Sequence, residues 1–192
     1  MTIRPAKPPS LTPRIPGDPG VWVLIFGDLF VFALLFATFA YYRAQTPAVF
    51  VQSQRTLSQA SGILNTLLLL SSSLLVVCAI AFNRRENFRA AQRCVAGAIG
   101  LGFGFVACKA MEYTAKISSG HYPVTNDFYM LYYALTGIHL FHVLVGLGGL
   151  AYLRVLIAKP ATHSPFTESL ALFWHMVDLL WVILFAILYM HR

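Results

Sequence analysis

The feature that most constrains this chain is a series of five long apolar runs, Val21–Tyr42, Gly62–Phe82, Val95–Ile117, Phe128–Ile157 and Leu170–His191. About 20 apolar residues carry a helix across the hydrocarbon layer of a bilayer, and each run reaches that length. One such helix alone could be the buried centre of a globular protein. Five in series leave too little polar sequence to coat that core, because 58% of the 192 residues are hydrophobic and 11% are charged. A backbone in lipid must satisfy its own hydrogen bonds, so the runs are read as helices. The expected fold class is an all-α integral membrane protein built as a five-transmembrane-helix bundle.

Residues 1–20 contain Pro5, Pro8, Pro9, Pro13, Pro16 and Pro19 and no apolar stretch, so they read as an extended proline-rich cytoplasmic tail and not as a cleavable signal peptide. The membrane domain is then 21–192. Lys and Arg are retained on the cytoplasmic side during insertion. Arg4, Lys7, Arg14, Arg84, Arg85, Arg89, Arg93, Arg154 and Lys159 fall on one side, and Arg43, Arg55, Lys116 and Arg192 on the other. The N-terminus is therefore expected inside and the C-terminus outside. The net charge of +7 is spread over short loops with no continuous basic face. That distribution suits anionic lipid headgroups and argues against nucleic acid. Cys78, Cys94 and Cys108 are odd in number, lack CxxC spacing and read as packing residues. There is no Walker loop, dinucleotide fingerprint or nucleophile elbow to support soluble-enzyme chemistry.

Polar groups at membrane depth are costly and need a partner or a purpose. Here they are Asp28 in the first span, Lys109 and Glu112 in the third, His139 and His142 in the fourth, and His175 and Asp178 in the fifth. Asn65 and Ser71 to Ser73, in the second span, are only weakly polar. Lys109 and Glu112 are three residues apart and within reach of each other on one helix. They form either a local ion pair or a site where Glu112 exchanges protons. His175 and Asp178 repeat the spacing and could share a hydrogen bond. His139 and His142 could ligate a metal or tie helices together. A haem with two axial histidines needs ligands from two helices, and His142 or His139 could pair with His175. Gly97, Gly100, Gly102 and Gly104 leave one side of the third span nearly bare, Gly100 and Gly104 in GxxxG spacing, and Gly146 contributes in the fourth. Trp22, Tyr41, Tyr42, Tyr129, Tyr132, Tyr133 and Tyr189 read as interfacial anchors.

Three segments carry a resemblance. They are Lys109-Ala110-Met111-Glu112-Tyr113, Leu135-Thr136-Gly137-Ile138-His139-Leu140-Phe141-His142-Val143-Leu144-Val145-Gly146 and Trp174-His175-Met176-Val177-Asp178-Leu179-Leu180-Trp181. In this order they resemble subunit III of the haem-copper oxidase superfamily, over about residues 20 to 192. The resemblance implies a non-catalytic, cofactor-free accessory subunit in a bacterial inner membrane, serving aerobic or nitrogen-oxide respiration. Haem and copper or iron would belong to the catalytic partner. It also implies that Glu112 is the buried glutamate of the Glu-Tyr motif and that phospholipid lies in a cleft between the first two spans and the other three. The first two spans match the third and fourth of longer members, so this is the short, five-helix form. Many oxidase members carry a neutral polar residue where Lys109 stands. Together with Thr125-Asn126-Asp127-Phe128-Tyr129, that makes the chain look most like the accessory E protein of nitric oxide reductase clusters. Readings from other classes are a haem b electron-transfer protein and a small proton-coupled carrier. No inverted repeat supports the carrier.

Overall fold

A computed structural model describes residues 17–158 and 165–190. Most of the proline-rich tail, Lys159 and the His191-Arg192 terminus lie outside the described residues. The order is α1 (Pro19–Gln45), α2 (Pro47–Gln54), α3 (Gln59–Arg84), α4 (Phe88–Ser118), α5 (Asp127–Ile157) and α6 (Pro165–Phe185), the last continuing as a π-helical turn, Ala186–Met190. Among the described residues five helices, counting α6 with its π-helical turn, are long and apolar enough to span a membrane.

The helix starts follow capping chemistry. Asp18, Ser58, Asn87 and Asn126 each accept from a backbone N–H of the first turn they precede, and Pro19 takes the first helical position of α1. That places Pro19 and Gly20 in the first span rather than in the tail. At the α3–α4 turn Glu86 adopts φ 58°, the left-handed geometry that ends a helix tightly, and the Asn87 N–H returns to the Phe82 carbonyl at 3.0 Å. This short turn forces α3 and α4 into an antiparallel pair, the most extensive interface of the bundle.

The short helix α2 has no counterpart in the sequence reading, since eight residues ending in Gln-Ser-Gln show no span-length pattern. It is anchored by Phe50, fully buried in edge-to-face contact with Phe39 and Phe128 at 5.2 and 5.6 Å. The Gln54 amide donates to the carbonyls of Ile187 and Leu188 at 3.0 and 3.4 Å, supplying donors that the end of a helix lacks.

α6 packs between α5 and α3, whereas α1 leans chiefly on α5 and α6, with a smaller contact to α2. Its buried residues Ile25, Phe32 and Phe39 are spaced by seven, a narrow seam on a helix otherwise apolar all round. The first two spans therefore do not stand apart as a pair, and among the described residues the expected cleft between them and the other three is not formed. Apolar grooves instead flank α1 at its two ends. One of about 560 Å³ lies between Val21, Leu24, Val145 and Phe173, and one of about 620 Å³ between Phe36, Arg43, Ala186 and Ile187.

The glycines of α4 do not form one bare side. A Cβ on Gly97 would meet Leu75 of α3 at 2.9 Å, and one on Gly102 would meet Leu147 of α5 at 2.6 Å and Trp174 of α6 at 3.1 Å. Gly104 has ordinary clearance from Leu68, and Gly100 faces open space, so the GxxxG pair serves no close approach among the described residues. Gly146 meets a rigid neighbour, because a Cβ there would fall 2.7 Å from the fully buried Trp174 ring. Gly146→Ala is expected to cost about 1–3 kcal/mol of stability by overpacking. Gly100→Ala should be neutral or stabilising by up to about 1 kcal/mol, since glycine weakens a helix. Unfolding of the purified variants in detergent, followed by circular dichroism, separates the two.

Candidate functional site

The polar residues of the bundle converge around one carboxylate. Lys109 and Glu112 both lie on the inward stripe of α4 that also carries Val95, Ala98, Gly102 and Phe105. Lys109 is 0% exposed and Glu112 9%. Burying this pair requires that every lone pair and proton find a partner. Glu112 Oε1 accepts from the hydroxyls of Tyr132 on α5 and Tyr189 on the π-helical turn, both at 2.6 Å. Glu112 Oε2 accepts from Lys109 Nζ at 3.3 Å and from Ser61 of α3 at 3.3 Å. The Lys109 ammonium spends its other hydrogens on the oxygens of Tyr132 and Tyr189, at 3.2 and 3.1 Å.

Four rings enclose the ammonium, with Tyr113, Tyr132, Trp181 and Tyr189 centroids 5.1 to 5.8 Å away. Each face offers electron density to the cation. Beside this cage the Thr136 hydroxyl donates to the Tyr132 carbonyl at 2.6 Å, which leaves Tyr113 as donor in its 2.6 Å contact with Thr136. At the rim Lys116 donates to the carbonyl and hydroxyl of Thr56, and Thr56 meets the Tyr129 hydroxyl at 2.8 Å. The arrangement clasps α3, α4, α5 and α6 at one end. Its carboxylate oxygens are fully engaged, so the geometry is that of a structural charge pair.

The other intramembrane groups stand apart from this cluster. His139 is fully buried against Trp181 and Phe105, ring centroids 5.3 and 5.8 Å away. His142 faces a different side of α5. Its Nδ1 donates to the Ile138 carbonyl at 2.8 Å, and its Nε2 lies 3.4 Å from Asp28 Oδ1 of α1. A proton on either of those last two atoms turns the contact into a hydrogen bond. The two histidines therefore do not share a metal site, despite their spacing.

His175 and Asp178 do not meet directly but through Ser73 of α3, which lies 2.5 Å from His175 Nδ1 and also bonds the Asp178 carboxylate. His175 lines a groove between α3 and α6, whereas His142 lies against Phe32 of α1 and Phe173 of α6. Phe173 and His175, two residues apart, point to different sides of α6. His142 and His175 therefore do not converge on one haem.

Tyr132 and Tyr189 correct the sequence reading, in which they were interfacial anchors. Both are buried hydrogen-bond donors, and Tyr129 is buried too. The signal lay in spacing, because Tyr132, Thr136, His139, Val143 and Gly146 recur at helical intervals on one inward stripe. Ser61 and Ser73 carried no such signal, as intramembrane serines commonly bond their own backbone.

A buried ionic clasp inside five apolar helices defines a multi-pass helical membrane protein whose polar chemistry is internal. A sequence model described as cytochrome c oxidase subunit III matches residues 18–192. The chain belongs to the cytochrome c oxidase subunit III family. It is 29% identical over 174 residues to cytochrome c oxidase subunit 3 of Bacillus sp. (strain PS3), covering 89% of this chain and 84% of the relative. It is 27% identical to quinol oxidase subunit 3 of Bacillus subtilis (strain 168), covering 89% and 85%, and 29% identical to cytochrome bo(3) ubiquinol oxidase subunit 3 of Pseudomonas putida, covering 89% and 84%. With five spans and bacterial relatives, it is a multi-pass protein of the inner membrane.

Lys109→Met should cost about 3–5 kcal/mol, because it strands a buried carboxylate. Lys109→Met with Glu112→Gln should recover a large part of that loss, since no uncompensated charge remains. A double-mutant cycle on unfolding in detergent measures the coupling.

Proposed function

We propose that this chain is a non-catalytic accessory subunit that docks beside a catalytic haem-copper subunit in the membrane and stabilises it. Haem and copper or iron reside in that partner, and this chain carries none of its own. The observation that carries the reading is the saturated Lys109–Glu112 clasp, which leaves neither carboxylate oxygen free for a substrate, metal or proton-transfer partner. Membership of the subunit III family supplies the kind of complex. The haem b alternative is disfavoured by the separation of His142 from His175.

Three finer points belong to the same reading. The N-terminus is cytoplasmic and the C-terminus outside, because Arg84, Arg85, Arg89, Arg93 and Arg154 cluster at the helix ends shared with the start of α1. Phospholipid occupies the apolar grooves flanking α1, where Arg43 offers a cation at the rim of one. The partner is of the nitric oxide reductase type, a choice that rests on the resemblance carried by Lys109 and the run Thr125-Asn126-Asp127-Phe128-Tyr129.

Purification of the tagged chain from native membranes in mild detergent, with identification of what accompanies it and an optical spectrum, tests the reading. A haem-copper subunit is expected to co-purify, and the chain stripped of it should be colourless. A chain that comes alone with stoichiometric haem overturns the proposal. Glu112→Gln is expected to speed inactivation of the partner enzyme during turnover several-fold. Unchanged assembly, turnover and lifetime would remove Glu112 from the stabilising role.

A further inference from the structure

Two side chains at the centre of the bundle have hydrogen-bonding atoms that are buried and unmet. Asn65 of α3 and His139 of α5 are both 0% exposed. Neither the amide nitrogen and oxygen of Asn65 nor either ring nitrogen of His139 has a partner among the described residues. Native interiors rarely leave such groups unpaired.

Both belong to one layer of the bundle. Asn65 is one turn along α3 from Ser61, which reaches Glu112, and it adjoins Thr66, which accepts the Trp181 indole N–H at 3.1 Å. The His139 ring lies 5.3 Å from that same Trp181 ring. One turn along α6, Asp178 keeps Oδ1 unmet. Beyond it Ser73 and His175 lead into a groove of about 300 Å³ bordered by Val77, Ile80 and Ala81, with the Arg84–Glu168 ion pair, 2.8 Å, at its mouth.

The donor and acceptor set selects the ligand. The Asn65 amide both donates and accepts, and a neutral imidazole carries one donor and one acceptor. Lys109 Nζ, 5.3 Å from the Trp181 ring, opposes a cation, and the Asp178 carboxylate opposes an anion. A small neutral molecule that donates and accepts equally is water, and buried water serves this purpose in other proteins.

We propose that the interior of α3, α5 and α6 holds a hydrated half-channel, running from the groove at Arg84 and Glu168 past Ser73 and Asp178 to the Asn65–His139 layer. It ends beneath Lys109, because the groups beyond are already paired with one another. The buried ammonium also repels a hydrated proton arriving from that side. The half-channel therefore admits water without making the subunit a proton leak.

The test is deuterium exchange of the His139 ring N–H in the full-length chain, labelled with 15N-histidine, held in lipid nanodiscs and transferred to D2O. Solid-state NMR reads the signal, and its loss in His139→Phe assigns it. Exchange within hours is expected in the unsubstituted chain, with at least a tenfold slowing in Ser73→Val, which removes the bridging hydroxyl. A His139 N–H that persists for days, as a dry interior requires, overturns the proposal. So does exchange that Ser73→Val leaves unchanged. A high-resolution density map of the unsubstituted chain gives a second reading that depends on no variant. Ordered water within hydrogen-bond distance of Asn65 and His139 supports the half-channel, and continuous apolar packing there overturns it.

Discussion

Everything at one end of this bundle depends on the buried charge pair Lys109–Glu112. Two ions removed from water and placed at membrane depth are tolerated only when geometry returns what desolvation costs. Here the return is distributed over Ser61 of α3, Tyr132 of α5 and Tyr189 of the π-helical turn. Each helix supplies something the pair cannot do without, so the pair specifies how four helices meet as well as holding them together. The π-helical turn belongs to the same requirement. Gln54 secures its carbonyls, and Tyr189 is presented to the carboxylate from it.

Away from the pair, cohesion comes from close packing, because lipid tails remove the hydrophobic drive between helices. The Trp174 indole fills the space that Gly102 and Gly146 vacate, and Trp181 forms one wall of the lysine cage while packing against Phe105. α1 shares little of this. It contributes a seam of three buried residues, with Leu29, Leu35 and Phe36 partly buried beside it, and the contact of Asp28 with His142. A peripheral helix bounded by grooves is suited to lipid on one side and a partner subunit on another.

Much of the architecture was legible in the residues. The five spans emerge from run length alone, and the described helices extend them by a few residues at the capping positions. The intramembrane ionisable groups were also visible, since charges at that depth stand out from their surroundings. Their partners were not. Tyrosine near a helix end reads equally as an interfacial anchor or a buried donor, and only the facing helix distinguishes them. His175 and Asp178 looked like a pair at three-residue spacing, yet Ser73 from another helix lies between them.

The sequence by itself determined that this protein lives in a membrane, how many times it crosses, and which side chains would be expensive there. Those properties follow from length and polarity, which are local. Tertiary structure alone decided that α3 pairs with α4 and not with α1, that Gly100 faces outward while Gly146 receives a tryptophan, and that one carboxylate gathers four donors. Such outcomes depend on which faces meet once the turns are closed. A helical period does not reveal its neighbour, so no reading of one strip of residues contains them.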